Sequence, residues 1–273
     1  MEINKIYNEP CLVTLQRMPN DFLDCVITSP PYDNLRQYQN KIDKSWGEHT
    51  WKPIIELLYQ KTKEGGTIVW VVGDAVIDGG ETGTSFKQCL YAMECGFKLW
   101  DTMIYQKTPS FPAADGDKRY SQNFEYMFIW TKGTPKTANL LKDRKNKWGG
   151  STSWGKTSER LKDGSIKQRE LINVQEYGYR FNIWEYATGK GNSAVDDIAY
   201  KHPAIFPEKL SSDHVMTWTN EGDLVYDPFM GSGTVAKSCI LYNRNYIGSE
   251  ISSEYCNIIE LRIKKYKDQT KLF

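Results

Sequence analysis

Three histidines, at 49, 202 and 214, are too few and too scattered to build a zinc site. The six cysteines, at 11, 25, 89, 95, 239 and 256, contain no Cys-x-x-Cys pair, so no metal is expected and the thiols are expected to be reduced. No run approaches the roughly 20 apolar residues that a membrane span needs, and Met-Glu-Ile-Asn-Lys opens the chain without a long apolar stretch. A membrane location is therefore not expected, and a cytoplasmic one is. An excess of one charge is also lacking. With 35 Lys and Arg against 34 Asp and Glu, the net charge is +1, and the overall composition does not announce a polyanion partner. Repeats and low-complexity tracts are absent as well.

What is present suits a globular domain. The chain has 273 residues, 40% of them hydrophobic, enough for one large α/β domain or for a domain with an inserted module. Its nine tryptophans are expected to pack between elements. Charge is uneven along the chain: Lys132 to Arg169 holds eleven Lys and Arg against three Asp and Glu. Strand-like apolar runs are expected at 24–28, 67–72, 97–105, 124–131, 224–226 and 246–250. Helices are expected at 51–63, closed by Gly65-Gly66, and at 84–93, 207–218, 234–243 and 253–266. Strands alternating with helices predict a doubly wound, mostly parallel α/β sheet covered on both faces. Between 132 and 199 the chain turns polar, basic and glycine-rich without a sustained period, which predicts an inserted module. Three segments follow: 1–131, a module over 132–199, and 200–273.

Two short segments carry chemistry. In Asp227-Pro228-Phe229-Met230-Gly231-Ser232-Gly233-Thr234 a glycine-rich turn sits between an apolar strand and a helix, and Glu250 ends the next strand. Glycines let a backbone approach a ligand closely, and a carboxylate after the second strand can accept both hydroxyls of a ribose. No third glycine and no Lys-Ser/Thr pair follows, which disfavours a dinucleotide or a P-loop phosphate site and favours an adenosine without phosphates. A tight structural turn with a surface glutamate would look alike. The second segment is Thr28-Ser29-Pro30-Pro31-Tyr32, after a buried strand; alone, it would equally suit a rigid loop.

Together these segments resemble the amino-methylating DNA methyltransferases. Asp-Pro-Phe-x-Gly-Ser-Gly-Thr is similar to that family's S-adenosylmethionine motif, and Thr-Ser-Pro-Pro-Tyr to its catalytic motif. His202-Pro203-Ala204-x-Phe206-Pro207 is similar to a family segment that packs around the cofactor, with Phe206 as the apolar contact. The catalytic motif comes first, a polar middle follows and the cofactor motif comes last, which is the order of the permuted β branch. The resemblance spans about residues 4–266 and is weakest in the basic middle.

It implies a Rossmann-like methyltransferase fold whose halves are 1–131, catalytic, and 200–273, cofactor-binding, around a DNA target-recognition module at 132–199. The implied cofactor site is Phe206, Asp227, Pro228, Phe229, Gly231, Ser232, Gly233, Thr234 and Glu250. Ser29 and the Pro30 carbonyl would accept the two N–H bonds of a base's amino group, Pro31 would stiffen the loop, and Tyr32 would stack on the flipped base. The expected partner is double-stranded DNA, with a cognate restriction endonuclease as a further candidate, and the protein as a monomer or a homodimer.

Serine at the head of the motif resembles the cytosine-N4 enzymes, whereas adenine-N6 enzymes more often carry Asp or Asn. Cytosine N4 is therefore the expected target, and adenine N6 the alternative. A protein or RNA amino-methyltransferase and a silent DNA-binding subunit fit less well, the first because of motif order and the second because Ser29, Tyr32, Asp227 and Glu250 are all intact.

Several residues stay open. Carbon-5 methylation would need a cysteine nucleophile, and Cys11 is read instead as packing at the start of the sheet. Residues 33–44, with Arg36, Lys41 and Lys44, suit either a loop that closes on DNA or a solvated one. Asp74 and Glu125 are read as structural rather than as site residues. Pro10 stands where the family often carries an acidic contact to adenine, with Glu9 as the candidate substitute.

Overall fold

The structure is a computed structural model, and it describes residues 1–31, 46–108, 119–152, 158–168 and 173–270, excepting the side chains of 268–270. Its contacts divide it into two compact units. The first is Met1–Asn139 with Asn182–Phe273, and the second is Leu140–Phe181.

The first unit is built on an eight-stranded sheet. Its strands are β1 (Lys5–Tyr7), β2 (Leu23–Thr28), β3 (Thr62–Val72), β4 (Lys98–Thr108), β5 (Phe124–Thr131), β6 (Ile183–Ala187), β7 (Leu224–Asp227) and β8 (Asn245–Ser249). The helices are α1 (Cys11–Arg17), α2 (Glu48–Lys61), α3 (Thr84–Glu94), α4 (Glu208–Trp218), α5 (Thr234–Leu241) and α6 (Ser253–Thr270). Across the sheet the order is β1-β8-β7-β2-β3-β5-β4-β6, and β5 alone runs against the others among the described strands. This is the doubly wound, mostly parallel α/β fold that the alternation of strands and helices implied.

Central strands are buried on both faces, which is why they read as continuous apolar runs. One set of residues, Val26, Ile68, Trp70, Val72, Phe128, Trp130, Tyr226 and Ile247, packs into one core with Leu15 of α1, Trp51, Ile54, Ile55 and Leu58 of α2, and Cys89 and Ala92 of α3. Trp70 and Trp130 stack there at 5.3 Å. The alternate residues turn the other way: Met127 Sδ lies 3.2 Å from His214 Nε2 of α4.

Some elements differ from expectation. The glycine pair 65–66 does not close a helix, because α2 ends at Lys61, where the Thr62 hydroxyl donates to the Leu58 carbonyl at 2.7 Å. Both glycines instead lie inside β3. Gly65 has φ +81°, and a Cβ on Gly66 would stand 2.6 Å from Thr62 Cγ2. The second difference is β6, which lies within 132–199 yet adds to the main sheet, parallel to β4. Residues 132–139 are likewise part of the first unit, where the Asn139 N–H donates to the Thr217 carbonyl at 2.8 Å.

The described residues of the second unit, Leu140–Phe181, include short antiparallel ribbons. Arg144–Lys145 pairs with Tyr177–Gly178, and Ser158–Arg160 with Ile166–Gln168. Trp148, Tyr179 and Phe181 are exposed, with the Arg144 guanidinium 4.3 Å from the centre of the Phe181 ring and Lys147 Nζ 5.2 Å from that of Trp148. The turn that carries Trp148 is tied down by backbone bonds, among them Asn146 N–H to the Glu176 carbonyl at 2.9 Å and Gly150 N–H to the Val174 carbonyl at 2.8 Å.

Candidate active site

Strands β2 and β7 lie side by side, with Cys25 opposite Val225 and Val26 opposite Tyr226. From β7 the chain proceeds through α5 to β8 on one side, and from β2 through α2 to β3 on the other. The carboxyl ends of these strands therefore open a crevice at a topological switch point, where α/β sheets bind ligands. Both motifs emerge there, and a buried hydrogen bond joins them: Thr28 Oγ1 donates to Asp227 Oδ1 at 2.7 Å, across 199 residues of sequence.

Asp227 ends β7, and its carboxylate also accepts the Phe229 N–H at 3.0 Å. Burial pushes its pKa up to about 7; the Thr28 hydroxyl and the Phe229 N–H oppose the shift, and the charge of Glu250 adds to it. Next along the first motif, Ser29 is half-buried, Pro30 buried and Pro31 half-buried. Proline at 30 and 31 removes two N–H donors and ends the ladder where the crevice begins. Tyr32 and the 33–44 loop lie outside the described residues.

The glycine turn is shaped by its neighbours. Gly231 has φ +53° and Gly233 φ +81°, left-handed conformations that favour glycine. A Cβ at 231 would stand 3.2 Å from the His202 ring, and one at 233 would stand 2.8 Å from Ile259. The Gly231 N–H donates to Glu250 Oε2 at 2.9 Å, and the Ser252 N–H to Oε1 at 2.9 Å. Burial raises the pKa of Glu250, against the N–H groups of Ser252, Gly231 and Ile251. Each carboxylate oxygen thus holds one backbone donor and keeps a lone pair for another, and two adjacent acceptors match the vicinal hydroxyls of a ribose. These residues fit an adenosine-type ligand.

Around the turn, Phe229 packs edge-on against Trp46 (5.5 Å) and Trp70 (6.5 Å). Pro228, Ser232 and Thr234 are buried. His202 meets Tyr255 of α6 at 4.4 Å, so the segment leading to half-buried Phe206 borders the turn.

The residues left open have definite surroundings. Cys11 lies in the first turn of α1, not in the sheet; it packs in the core, and burial pushes its thiol up to about 12, far from a reactive thiolate. Asp74 accepts the Ser85 N–H (2.9 Å) and hydroxyl (2.5 Å), tying down the start of α3, and Glu125 pairs with Lys107 at 2.6 Å. The Glu9 carboxylate accepts from the Thr14 hydroxyl at 2.7 Å and from Arg17. Its neighbour Asn8 instead reaches Glu250, donating from Nδ2 to the backbone carbonyl at 2.9 Å.

Sequence reasoning missed a buried charge cluster at the turn. Arg262 of α6 donates from Nη1 to the Ser232 carbonyl at 2.8 Å and the Thr234 hydroxyl at 3.1 Å, and it also pairs with Asp196 and Glu208. Lys237 of α5 bridges the same two acids, at 2.6 and 2.7 Å. A signal was available: Tyr255, Ile258, Ile259, Arg262, Ile263 and Tyr266 fall on one helical face, and an arginine amid that apolar stripe is out of pattern.

The fold and this site define a Rossmann-like methyltransferase. Residues 23–261 match the N6/N4 methyltransferase family, described as DNA methylase, and the chain belongs to that family of S-adenosylmethionine-dependent DNA amino-methyltransferases. It is 52% identical over 246 residues to the orphan methyltransferase M.BamHII of Bacillus amyloliquefaciens, covering 89% of each chain. Among solved structures it resembles the PvuII DNA methyltransferase (cytosine-N4-specific), with TM-score 0.68 and 19% identity over 97% of this chain and 90% of that one. It also resembles TTHA0409 of Thermus thermophilus, complexed with S-adenosyl-L-methionine, with TM-score 0.62 and 20% identity over 96% and 95% of the two chains.

Proposed function

We propose that the chain methylates the N4 amino group of cytosine in double-stranded DNA at the crevice between β2 and β7. The observation that carries this reading is the Thr28–Asp227 hydrogen bond, which brings Ser29-Pro30-Pro31 and the glycine turn to one place. S-adenosylmethionine supplies an electrophilic methyl group. Glu250 accepts its ribose hydroxyls, Gly231 to Thr234 give it a close backbone, and Asp227, Pro228, Phe229 and Phe206 wall the site.

A base amino nitrogen is a poor nucleophile because its lone pair is delocalised into the ring. Ser29 Oγ and the Pro30 carbonyl accept its two N–H bonds, which favours a pyramidal nitrogen aimed at the methyl group. Tyr32 offers a face to the flipped base, and such stacking contributes about 1–3 kcal/mol against the few kcal/mol that flipping costs. The protonated, packed thiol of Cys11 supports direct transfer to nitrogen over a cysteine-linked carbon-5 mechanism.

DNA recognition falls to the basic unit 140–181, the part of the 132–199 segment that lies outside the main sheet's unit. Lys145 and Lys147 meet phosphates there, and exposed Trp148 stacks on bases. Cytosine is favoured over adenine because the motif opens with Ser29, whose short hydroxyl suits the amine of a single-ring base.

Purified enzyme, labelled S-adenosylmethionine and mixed-sequence DNA test the assignment after digestion to nucleosides. Label is expected in N4-methylcytosine. Label in N6-methyladenine alone would reassign the base and leave Ser29 and Pro30 in the same roles.

A further inference from the structure

The cluster behind the glycine turn is expensive. The Arg262 side chain is fully excluded from solvent, Lys237 nearly so, and Asp196 and Glu208 largely so. Each ion loses its hydration there, and a well-packed apolar group of the same volume would stabilise a fold at least as well. Four charges in such a place imply a task that apolar side chains cannot perform.

That task is visible in the directions of the bonds. One part of the Arg262 guanidinium faces acids, with Nε 3.2 Å from Asp196 Oδ2 and Nη2 2.5 Å from Glu208 Oε1. Nη1 faces the turn and donates to the Ser232 carbonyl (2.8 Å), the Ser232 hydroxyl (3.3 Å) and the Thr234 hydroxyl (3.1 Å). Only a guanidinium has enough donors, in a rigid enough plane, to hold both sides at once. Lys237 and the Tyr266 hydroxyl, 2.7 Å from Asp196 Oδ1, brace the acids in turn. Burial opposes ionisation of Asp196, but Lys237, Tyr266 and Arg262 together hold its pKa below the ordinary value.

We infer that Arg262 is a positioning residue of the methyl-donor site. It sets the conformation of the Gly231–Thr234 turn from behind, while Asp196, Glu208 and Lys237 set Arg262. Donor affinity therefore depends on a side chain that lies in neither motif. The inference rests on reading this turn as the donor site.

The test is Arg262→Lys, which keeps a charge for the acids but cannot span them and the turn together, with Asp196→Asn as a second variant that loosens Arg262 without touching the turn. Calorimetric titration with S-adenosylmethionine should show Kd raised about tenfold or more in Arg262→Lys and less in Asp196→Asn. KM for the donor should rise in parallel, while kcat at saturating donor stays within about threefold of the parent. Folded variants with unchanged Kd would overturn the inference, and so would loss of folding in both variants, which would make the cluster a scaffold only. Glu250→Ala separates the two claims: if it also leaves Kd unchanged, the donor-site reading fails. If it weakens binding while Arg262→Lys does not, only the role of Arg262 fails.

Discussion

The glycine-turn end of the first unit and the small unit at 140–181 use charge in opposite ways. Behind the glycine turn, two acids and two bases are buried and paired at 2.5–3.2 Å. In the small unit, ten Lys and Arg outnumber five Asp and Glu, whereas the rest of the chain has twenty-five against twenty-nine. The positive excess of the protein thus lies in one sixth of its length, beside exposed aromatic rings. Buried, neutralised charge fixes a geometry; exposed, unbalanced charge attracts a partner. A net charge of +1 conceals both, because it averages over two regions with different tasks.

The largest expected effect that can break this comparison concerns buried charge. The pKa of Asp227 in the fold is about 7 against an ordinary 3.8, so the folded state holds more protons than the unfolded chain between those values. Stability should therefore fall as pH rises from about 4 to about 7 and level off above, by roughly 4 kcal/mol at most from this residue. Asp227→Asn removes the titration and keeps an acceptor for Thr28. Thermal unfolding at pH 5 and pH 8 should show a smaller loss in the Asn variant than in the parent; equal losses would mean that Asp227 is ionised throughout.

Next in size is Glu250→Ala. Each lost hydrogen bond to a charged acceptor costs about 1.5–3 kcal/mol, so affinity for S-adenosylmethionine should fall roughly 10- to 1000-fold in a folded protein. Unchanged affinity would move the ribose contact elsewhere.

The small unit should respond in another currency. Trp148→Ala should weaken DNA binding roughly 5- to 150-fold, the equivalent of one lost stacking contact at about 1–3 kcal/mol, without altering the salt dependence. Lys145→Ala with Lys147→Ala should do the reverse in emphasis: a modest loss of affinity, and a slope of log K against log salt that is shallower by about 2. None of the three substitutions should alter donor affinity. A Trp148 variant that flattens the salt slope, or a lysine pair that does not, would undo the division of labour between stacking and phosphate contact.

How much of this was legible follows from the range of the interactions involved. The strands at 23–28, 67–72, 124–131 and 224–227 announce themselves because burial on both faces leaves mostly apolar residues. The glycine turn and Glu250 are legible because one short βαβ stretch carries them. Strand β6 was hidden, since Ile183–Ala187 alternates for only five residues at a sheet edge and the glycines at 189 and 191 make its surroundings look like loop. Gly65 and Gly66 look like a helix stop because close backbone approach and helix termination both call for glycine. The Thr28–Asp227 bond and the Arg262 cluster span 199 and up to 66 residues, and no local pattern encodes a partner that far away.

The central claim is that two motifs nearly 200 residues apart form one site, with the donor held by one and the amine aimed by the other. A single-turnover methyl-transfer experiment on Ser29→Ala, with enzyme saturated in S-adenosylmethionine and DNA, tests it most directly. Loss of a positioned polar group in an active site typically costs about 10²–10³ in rate, so transfer should slow by that order while the donor Kd measured in parallel stays within about twofold. A Ser29→Ala enzyme that transfers methyl groups at the parent rate would contradict the account, because the amine would then be aimed by residues other than the Ser-Pro-Pro segment.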